Sequence, residues 1–275
     1  MSYQSIVVFL DNSQASKARL EFAFQFAQKH RAHLTGIHMS TGPLFAFDAY
    51  GQTANLAVEW EQQIEKKRVE SKEYFLQQAK NFDVNVDWDS YRDIDMDQVL
   101  ARARVADLCM VGQVANIGTD NEIDRNFFTR FMLNVGKPVL YIPHGKEFTP
   151  VFEKIMVAWD GGRESARAIA DAMPLLQAAR IVCVMTVVPK RNQVDDFPDV
   201  DIAAYLARHK VNVEIDRVDN VPSNTAEFIL SRIELKCTDL LVMGGFGHTR
   251  FSELILGGMT RTMMKQMTVP VLMSH

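Results

Sequence analysis

The chain carries one order of sequence elements twice. The first copy contains IVVFLDNSQASKARL (6–20), VADLCMVG (105–112) and KPVLYIPH (137–144), and the second contains IMVAWDGGRESARAI (155–169), CTDLLVMGG (237–245) and VPVLMSH (269–275). Asp11 and Asp160 lie 149 positions apart, whereas Pro138 and Pro270 lie 132 apart. The same order with one internal shift indicates two duplicated domains, which we place at residues 1–145 and 152–275.

Each copy alternates short β-branched runs with segments of helical periodicity, which predicts βαβ units and a parallel sheet. We expect strands near 5–10, 33–38, 83–88, 106–111 and 138–142, and near 154–159, 180–187, 211–216, 239–243 and 269–273. We expect helices near 14–30, 53–81, 95–103 and 123–135, and near 163–177, 199–209, 223–236 and 250–267. The extra residues of the first copy are assigned to a longer loop and second helix, roughly 42–80.

Composition restricts the class of protein. The chain has 275 residues, of which 47% are hydrophobic and 23% charged, as in ordinary globular proteins. A net charge of −4 argues against nucleic-acid binding, and no apolar run approaches the roughly 18 residues that cross a membrane. The N-terminal apolar run is interpreted as a strand rather than a secretion signal. Cys109 and Cys183 lie in apolar strands, so we expect buried, reduced thiols and a cytoplasmic protein.

The second copy keeps glycines where a phosphate-binding loop would need them. Asp160 is followed by two glycines after the first strand, and Gly244, Gly247 and Gly257 follow the fourth. In open parallel sheets these two loops meet at the carboxyl ends of the strands, where ligands bind. Glycine allows the backbone to approach an anion, and a helix start supplies N–H donors. The pattern is neither GxxxxGK[ST] nor a dinucleotide fingerprint.

The spacing Gly244-x2-Gly247-x9-Gly257, with VAWDGG before it and TVPVLMSH after it, resembles the universal stress protein family. The resemblance covers both copies. It implies two tandem flavodoxin-like or Rossmann-like domains of the adenine nucleotide alpha hydrolase-like type. Each domain would be an open five-stranded, mainly parallel sheet with helices on both faces. It also implies that the copies pair through their last strands as an internal pseudo-dimer, and it leaves open a further homodimer.

The family resemblance implies a site for ATP or a related adenine nucleotide, with Mg²⁺, in the second copy. The implied contacts divide into three groups: Asp160 and Val187 at the adenine and ribose, Gly244 and Gly247 at the ribose and first phosphates, and Gly257, Gly258 and Thr260 at the distal phosphates. The family's nucleotide-binding members usually carry Ser or Thr at the position of Gly258. Losing that hydroxyl would cost about 1 kcal/mol of binding free energy.

The first copy lacks the same pattern. Counting from the shared Pro138 and Pro270, Arg125 stands at the position of Gly257, and Phe128 at the position of Thr260. Asp11 survives, but a carboxylate that caps a helix explains it equally well. We therefore interpret the first copy as structural or as a surface for a protein partner.

No motif for catalysis is present, which favours nucleotide sensing over turnover. Three alternatives stay open: an interaction protein that binds no nucleotide, a slow ATPase or autophosphorylating protein, and a different ligand in the first copy. For the third, Phe127, Phe128 and the segment 42–80 would enclose a pocket. Asp160 could equally be a plain helix cap, and the glycine segment a plain connection between strand and helix.

Overall fold

The structure, a computed structural model, describes residues 2–11, 13–39, 53–91, 95–113, 125–188, 198–219, 224–247 and 258–275. In the first half the elements are β1 (Ser5–Leu10), α1 (Gln14–His30), β2 (His33–Met39), α2 (Thr53–Phe82), β3 (Val86–Tyr91), α3 (Met96–Ala103), β4 (Leu108–Gly112), α4 (Arg125–Val135) and β5 (Val139–Ile142). In the second half they are β6 (Lys154–Trp159), α5 (Arg163–Ala178), β7 (Ile181–Val188), α6 (Pro198–Arg208), β8 (Val213–Asp219), α7 (Thr225–Leu235), β9 (Leu240–Gly244), α8 (Gly258–Gln266) and β10 (Val271–Ser274). None of these helices is both long and apolar enough to span a membrane.

The two halves share one sheet. Its strand order is β3-β2-β1-β4-β5-β10-β9-β6-β7-β8, so each half repeats the same doubly wound order. Strands are parallel within each half, while β5 and β10 pair antiparallel with Leu140 opposite Leu272. The predicted pairing of the copies through their last strands is confirmed. The two expected five-stranded sheets are joined into a continuous ten-stranded one, because that pairing covers both inner edges.

Helices cover both faces of the sheet. Strand side chains alternate between faces, so Ile6, Val8 and Leu10 of β1 pack under α1 and α2, whereas Val7 and Phe9 pack under α3 and α4. The same division places α5 and α6 on the first face and α7 and α8 on the second. Because the helices cover the faces of the sheet, the loops at the carboxyl ends of the parallel strands of each half are the place where a site would form.

The two halves differ in the length of their second helix, and the third strand of the first half is shifted from its predicted position. The second helix has 30 residues in the first half and 11 in the second, which confirms that the first copy has the longer one. The predicted strand 83–88 is shifted, since β3 covers Val86–Tyr91. Asp83 adopts a left-handed φ of 53°, and the N–H of Val84 donates to Ala79 O, so the end of α2 extends into the predicted strand.

The cysteines are all free thiols. Cys109 and Cys183 are buried as predicted, and Cys237 is exposed. Burial raises the pKa of the Cys109 thiol to about 12 and that of the Cys183 thiol to about 11, against partial opposition from Lys137 and Lys236 respectively. Both buried thiols therefore stay protonated and serve as packing groups.

Candidate functional site

The loops after β6 and β9 lie side by side because these two strands pair in parallel. Gly244, the last residue of β9, is pressed against the start of α5. A Cβ added to Gly244 would lie 2.6 Å from the backbone N of Ser165 and 2.8 Å from the carbonyl carbon of Glu164. These obstacles are backbone atoms, which cannot turn away, so any side chain at this position would displace the helix. The glycine brings the two loops into direct contact.

Asp160 organises the turn between β6 and α5. Its Oδ1 accepts a hydrogen bond from the N–H of Gly162 at 2.9 Å and another from the hydroxyl of Ser165 at 2.6 Å. Gly161 between them has φ of 73°, a conformation that side chains disfavour. Gly162 is the N-cap of α5 and has no side-chain cap of its own. Asp160 therefore shapes the helix start from two residues upstream of the cap, and this role is compatible with contact to a ligand.

The glycine loop, Gly244–Gly247, is tied to both elements that follow it. The N–H of Gly245 donates to Ser274 O of β10 at 2.9 Å, and the N–H of Phe246 donates to Oγ1 of Thr260 at 3.2 Å. Thr260 is buried, so its side chain supports the loop from beneath. Loop and helix start are thereby held as one unit, as a preorganised anion site would require.

The first residue of α8, Gly258, is exposed. A Cβ added to it would meet no atom of the described residues within 4 Å. Gly257 lies outside the described residues. The first N–H groups of a helix have no partner within it, and they carry the positive end of its dipole. This helix start is therefore suited to an anion that approaches beside the glycine loop.

Val187 is placed on the neighbouring strand. It pairs with Val218 of β8, one residue before β7 ends, and its side chain is outside the described part of the chain. Because β7 runs parallel to β6, the ends of both strands lie at the same edge as Asp160. The fold thus brings the predicted residues that it describes to one edge of the second half: Asp160, Val187, Gly244, Gly247, Gly258 and Thr260.

Glu164 is a site residue that the sequence prediction missed. Its Oε2 lies 2.8 Å from the point that a Cβ on Gly247 would occupy, and its Oε1 accepts a hydrogen bond from Nε of Arg163. Burial raises the pKa of the Glu164 carboxyl, but the Arg163 hydrogen bond, its own backbone N–H and the charges of Arg163 and His275 together bring that pKa below its usual value. The carboxylate is therefore ionised at neutral pH. Acids are common in the first turn of a helix because they interact favourably with its dipole. No sequence signal therefore distinguished Glu164 from an ordinary residue of this kind.

The first half fills the equivalent edge with its own side chains. Arg19 donates from Nε to Phe9 O at 2.8 Å, and its Nη2 pairs with Oδ2 of Asp11 at 3.0 Å. Its Nη1 lies where a Cβ on Gly112 would be, so this glycine makes room for an arginine. In the second half the position of Arg19 is taken by Ala168.

Asp11 keeps the local turn that Asp160 makes, but it does not cap α1 itself. Its Oδ1 accepts from the N–H of Ser13 at 2.8 Å, and Ser13 is the N-cap. Burial raises the pKa of Asp11, but the charge of Arg19 and the hydrogen bonds from Ser13 and Arg19 outweigh it, so that this pKa is lowered. The residue is thus committed to an internal ion pair.

The pocket expected from Phe127, Phe128 and the segment 42–80 does not form among the described residues. Both rings pack edge-on against Phe9, with centroids 6.4 and 6.2 Å away, under the face that carries α3 and α4. The helix α2 covers the opposite face, so it cannot enclose a pocket with them. Instead, a cavity of about 330 Å³ lies between α1 and α2, with Asp11, Lys17 and Tyr74 among its lining residues.

Comparisons with known proteins agree with this architecture. The model of the universal stress protein family matches residues 2–134 and 152–275. A universal stress protein of Synechocystis sp. is 25% identical over 147 residues, which are 52% of this chain and 48% of that protein, so the match spans about half of the relative's length.

Solved structures give the same result for the fold. A universal stress protein from Archaeoglobus fulgidus DSM 4304 superimposes with a TM-score of 0.73 at 13% identity, covering 98% of this chain and 97% of that one. A universal stress protein of Pseudomonas aeruginosa UCBPP-PA14, described as putative, superimposes with a TM-score of 0.63 at 15% identity, covering 99% and 93%. Because the family model matches both halves in turn, the chain belongs to the universal stress protein family, with two family domains in tandem.

Proposed function

We propose that this chain is a cytoplasmic stress-response protein whose second domain binds ATP or a related adenine nucleotide together with Mg²⁺. The first domain would be structural or would face a protein partner. The observation that carries the proposal is the difference between the two domains at their equivalent edges, the carboxyl ends of their parallel strands. The second has a tethered glycine loop and an exposed glycine, Gly258, at the start of α8, whereas the first has a buried arginine, Arg19.

The residues present fit a nucleotide. The N–H groups at the start of α8 and the glycine loop would hold phosphates, and Asp160 would lie near the ribose at the end of β6. Mg²⁺, when bound with the nucleotide, would partly neutralise those phosphates. The exposed Gly258 supplies no hydroxyl, so we expect modest affinity, weaker by about 1 kcal/mol than for a serine at that position.

The role we propose is sensing rather than turnover. The residues described at this edge bind and orient, and we assign none of them as a general base for hydrolysis. A nucleotide can shift a protein between two conformations only if it binds one of them more tightly. The hydrogen bond from Phe246 N–H to Thr260 links the glycine loop to α8. A nucleotide bound at the loop would therefore also affect the position of α8, which packs on the second face of the sheet.

Calorimetric titration of the full chain with ATP and Mg²⁺ tests this function, with Gly258→Asp as the decisive variant. Gly258 is exposed at a helix start, and a Cβ there would meet none of the described atoms within 4 Å. Aspartate should also interact favourably with the helix dipole, so we expect the fold to be retained. The new carboxylate should nevertheless repel phosphate, and we expect one-to-one binding that weakens at least tenfold.

The matched control is Gln14→Asp, which also places an aspartate at an exposed first residue of a helix, here α1 of the first domain. It should leave nucleotide binding unchanged. If neither ATP nor AMP nor adenosine gives heat with about 0.1 mM wild-type protein, a range that still detects weak binding, the proposed function is wrong.

A further inference from the structure

Glu164 stands directly over the glycine loop of the second domain. Its backbone packs on Gly244, and its Oε2 projects to within 2.8 Å of the Cβ position of Gly247. Gly247 is itself exposed, so a ligand that reached this glycine would come close to the carboxylate. Only 10% of the Glu164 side chain is exposed, because the loop covers it.

The two oxygens of this carboxylate have different surroundings. Oε1 is bound by Nε of Arg163, whose side chain is 66% exposed, while Oε2 is the oxygen that faces Gly247. The positive charge of Arg163 therefore lies on the solvent side of the carboxylate, and its negative charge on the loop side. A phosphate bound at the loop would therefore lie near Oε2.

The acid is not needed to build this turn. Ala15 occupies the equivalent position in the first domain, where α1 starts with the same aspartate turn and the same serine, Ser16 in place of Ser165. A helix can therefore begin at the equivalent edge of a domain of this fold without a carboxylate. The position of Glu164 over the loop is a property of the second domain alone.

We infer that Glu164 is a specificity-determining residue, which lowers the affinity of the second domain for phosphorylated ligands relative to uncharged adenosine. This inference rests on the proposed nucleotide site. Like charges a few ångströms apart in a partly buried site repel strongly enough to change affinity about tenfold. The penalty grows with the number of phosphate charges, so the site discriminates most against ATP, less against AMP and not against adenosine.

Titration calorimetry of the full chain with ATP, AMP and adenosine, in Mg²⁺, tests the inference with Glu164→Gln and Glu164→Ala. Glutamine keeps the shape and removes the charge, whereas alanine also removes the side chain and reproduces the residue of the first domain. We expect Glu164→Gln to bind ATP about tenfold more tightly than wild type, AMP less so, and adenosine within about twofold of wild type. The control is Glu227→Gln, an exposed acid in the first turn of α7, which should change none of these affinities.

Each other result overturns the inference in a recognisable way. An unchanged ATP affinity in Glu164→Gln, with binding still present, overturns the role of Glu164 and leaves the nucleotide site standing. An equal gain for adenosine and ATP means that the side chain acts by steric blocking rather than by charge. A loss of ATP affinity means that the carboxylate holds Mg²⁺. No binding of any ligand to wild type or to either variant overturns the proposed function together with the inference.

Discussion

Arg19 and Asp11 form an ion pair inside the first domain, with 3.0 Å between Nη2 and Oδ2 and side chains only 4% and 12% exposed. The pair lies at the carboxyl ends of the strands of the first domain, which is the place equivalent to the glycine loop of the second. A guanidinium that also donates to Phe9 O cannot move aside without leaving buried polar groups unpaired. The two domains thus use equivalent edges differently, the first for internal packing and the second for a glycine loop.

Replacing Arg19 with alanine should strongly destabilise the protein. The change leaves the buried Asp11 carboxylate without its partner and opens a void beside Gly112, and we expect a loss of about 3 kcal/mol in the free energy of unfolding. Urea denaturation measures it. Lys66→Ala, which breaks an exposed pair with Glu70, should cost less than about 0.5 kcal/mol. Equal effects of the two changes would contradict the structural role of Arg19.

Three glycines should respond very differently to alanine. Gly244→Ala should cost about 3 kcal/mol of stability, because its Cβ would collide with backbone atoms of α5. Gly112→Ala should also cost about 3 kcal/mol, because its Cβ would push the Arg19 guanidinium away from Asp11 and from Phe9 O. Gly258→Ala should leave stability within about 1 kcal/mol of wild type or raise it, because the new methyl group would contact none of the described atoms. Urea midpoints for the three variants check these differences, and a tolerated Gly244→Ala would contradict the close contact between β9 and α5.

His38 should make stability depend on pH. Burial lowers its pKa to about 4, with a smaller upward effect from Asp11 and a smaller downward effect from Arg68. The unfolded chain has the ordinary pKa near 6.5, so it binds this proton first as the pH falls. The contribution of the neutral His38 is therefore complete above about pH 6.5 and is lost progressively down to about pH 4, by about 3 kcal/mol in total.

The test compares unfolding free energies of wild type and His38→Gln between pH 7 and pH 4. The difference between the two proteins should shift in favour of the variant as the pH falls, since glutamine does not titrate in this range. His209→Gln, at an exposed histidine, controls for the loss of an imidazole. A constant difference between wild type and His38→Gln over the whole range would show that His38 is not held neutral by burial.

Gln113 should contribute to the junction of the domains. It stands where the second domain has Gly245; its Nε2 donates to Lys265 O of α8 at 2.6 Å, and its Oε1 accepts from the N–H of His144 at 3.0 Å. Gln113→Ala removes both bonds and should cost about 1–2 kcal/mol, measured by urea denaturation. Gln177→Ala, which removes an exposed bond to His209 O within the second domain, should cost clearly less. The reverse order would contradict a role of Gln113 between the domains.

Local sequence patterns determined the elements of this protein and their order. Runs such as IVVFL and IMVAW predict strands by themselves, and the three- and four-residue spacing of apolar positions predicts helices. The repeat then indicates that both copies have one topology, and the glycine spacing indicates which copy keeps an open loop. The bounds of α1 and β6 equal the predicted ones, and α5 is one residue longer than predicted. These elements could be predicted because they depend on residues close in the chain.

The tertiary structure alone decided which side chains meet across those elements. Arg19 could have been solvated, and only the approach of β4 to α1 buries it against Asp11 and Gly112. Phe127 and Phe128 could have lined a cleft, but the alternation of side chains on β1 turns Phe9 toward them and away from α2. Glu164 faces Gly247 because β6 and β9 are neighbours although 85 residues separate Ile155 from Leu240. Contacts of this kind depend on which distant strands pair, and local sequence patterns do not predict that pairing.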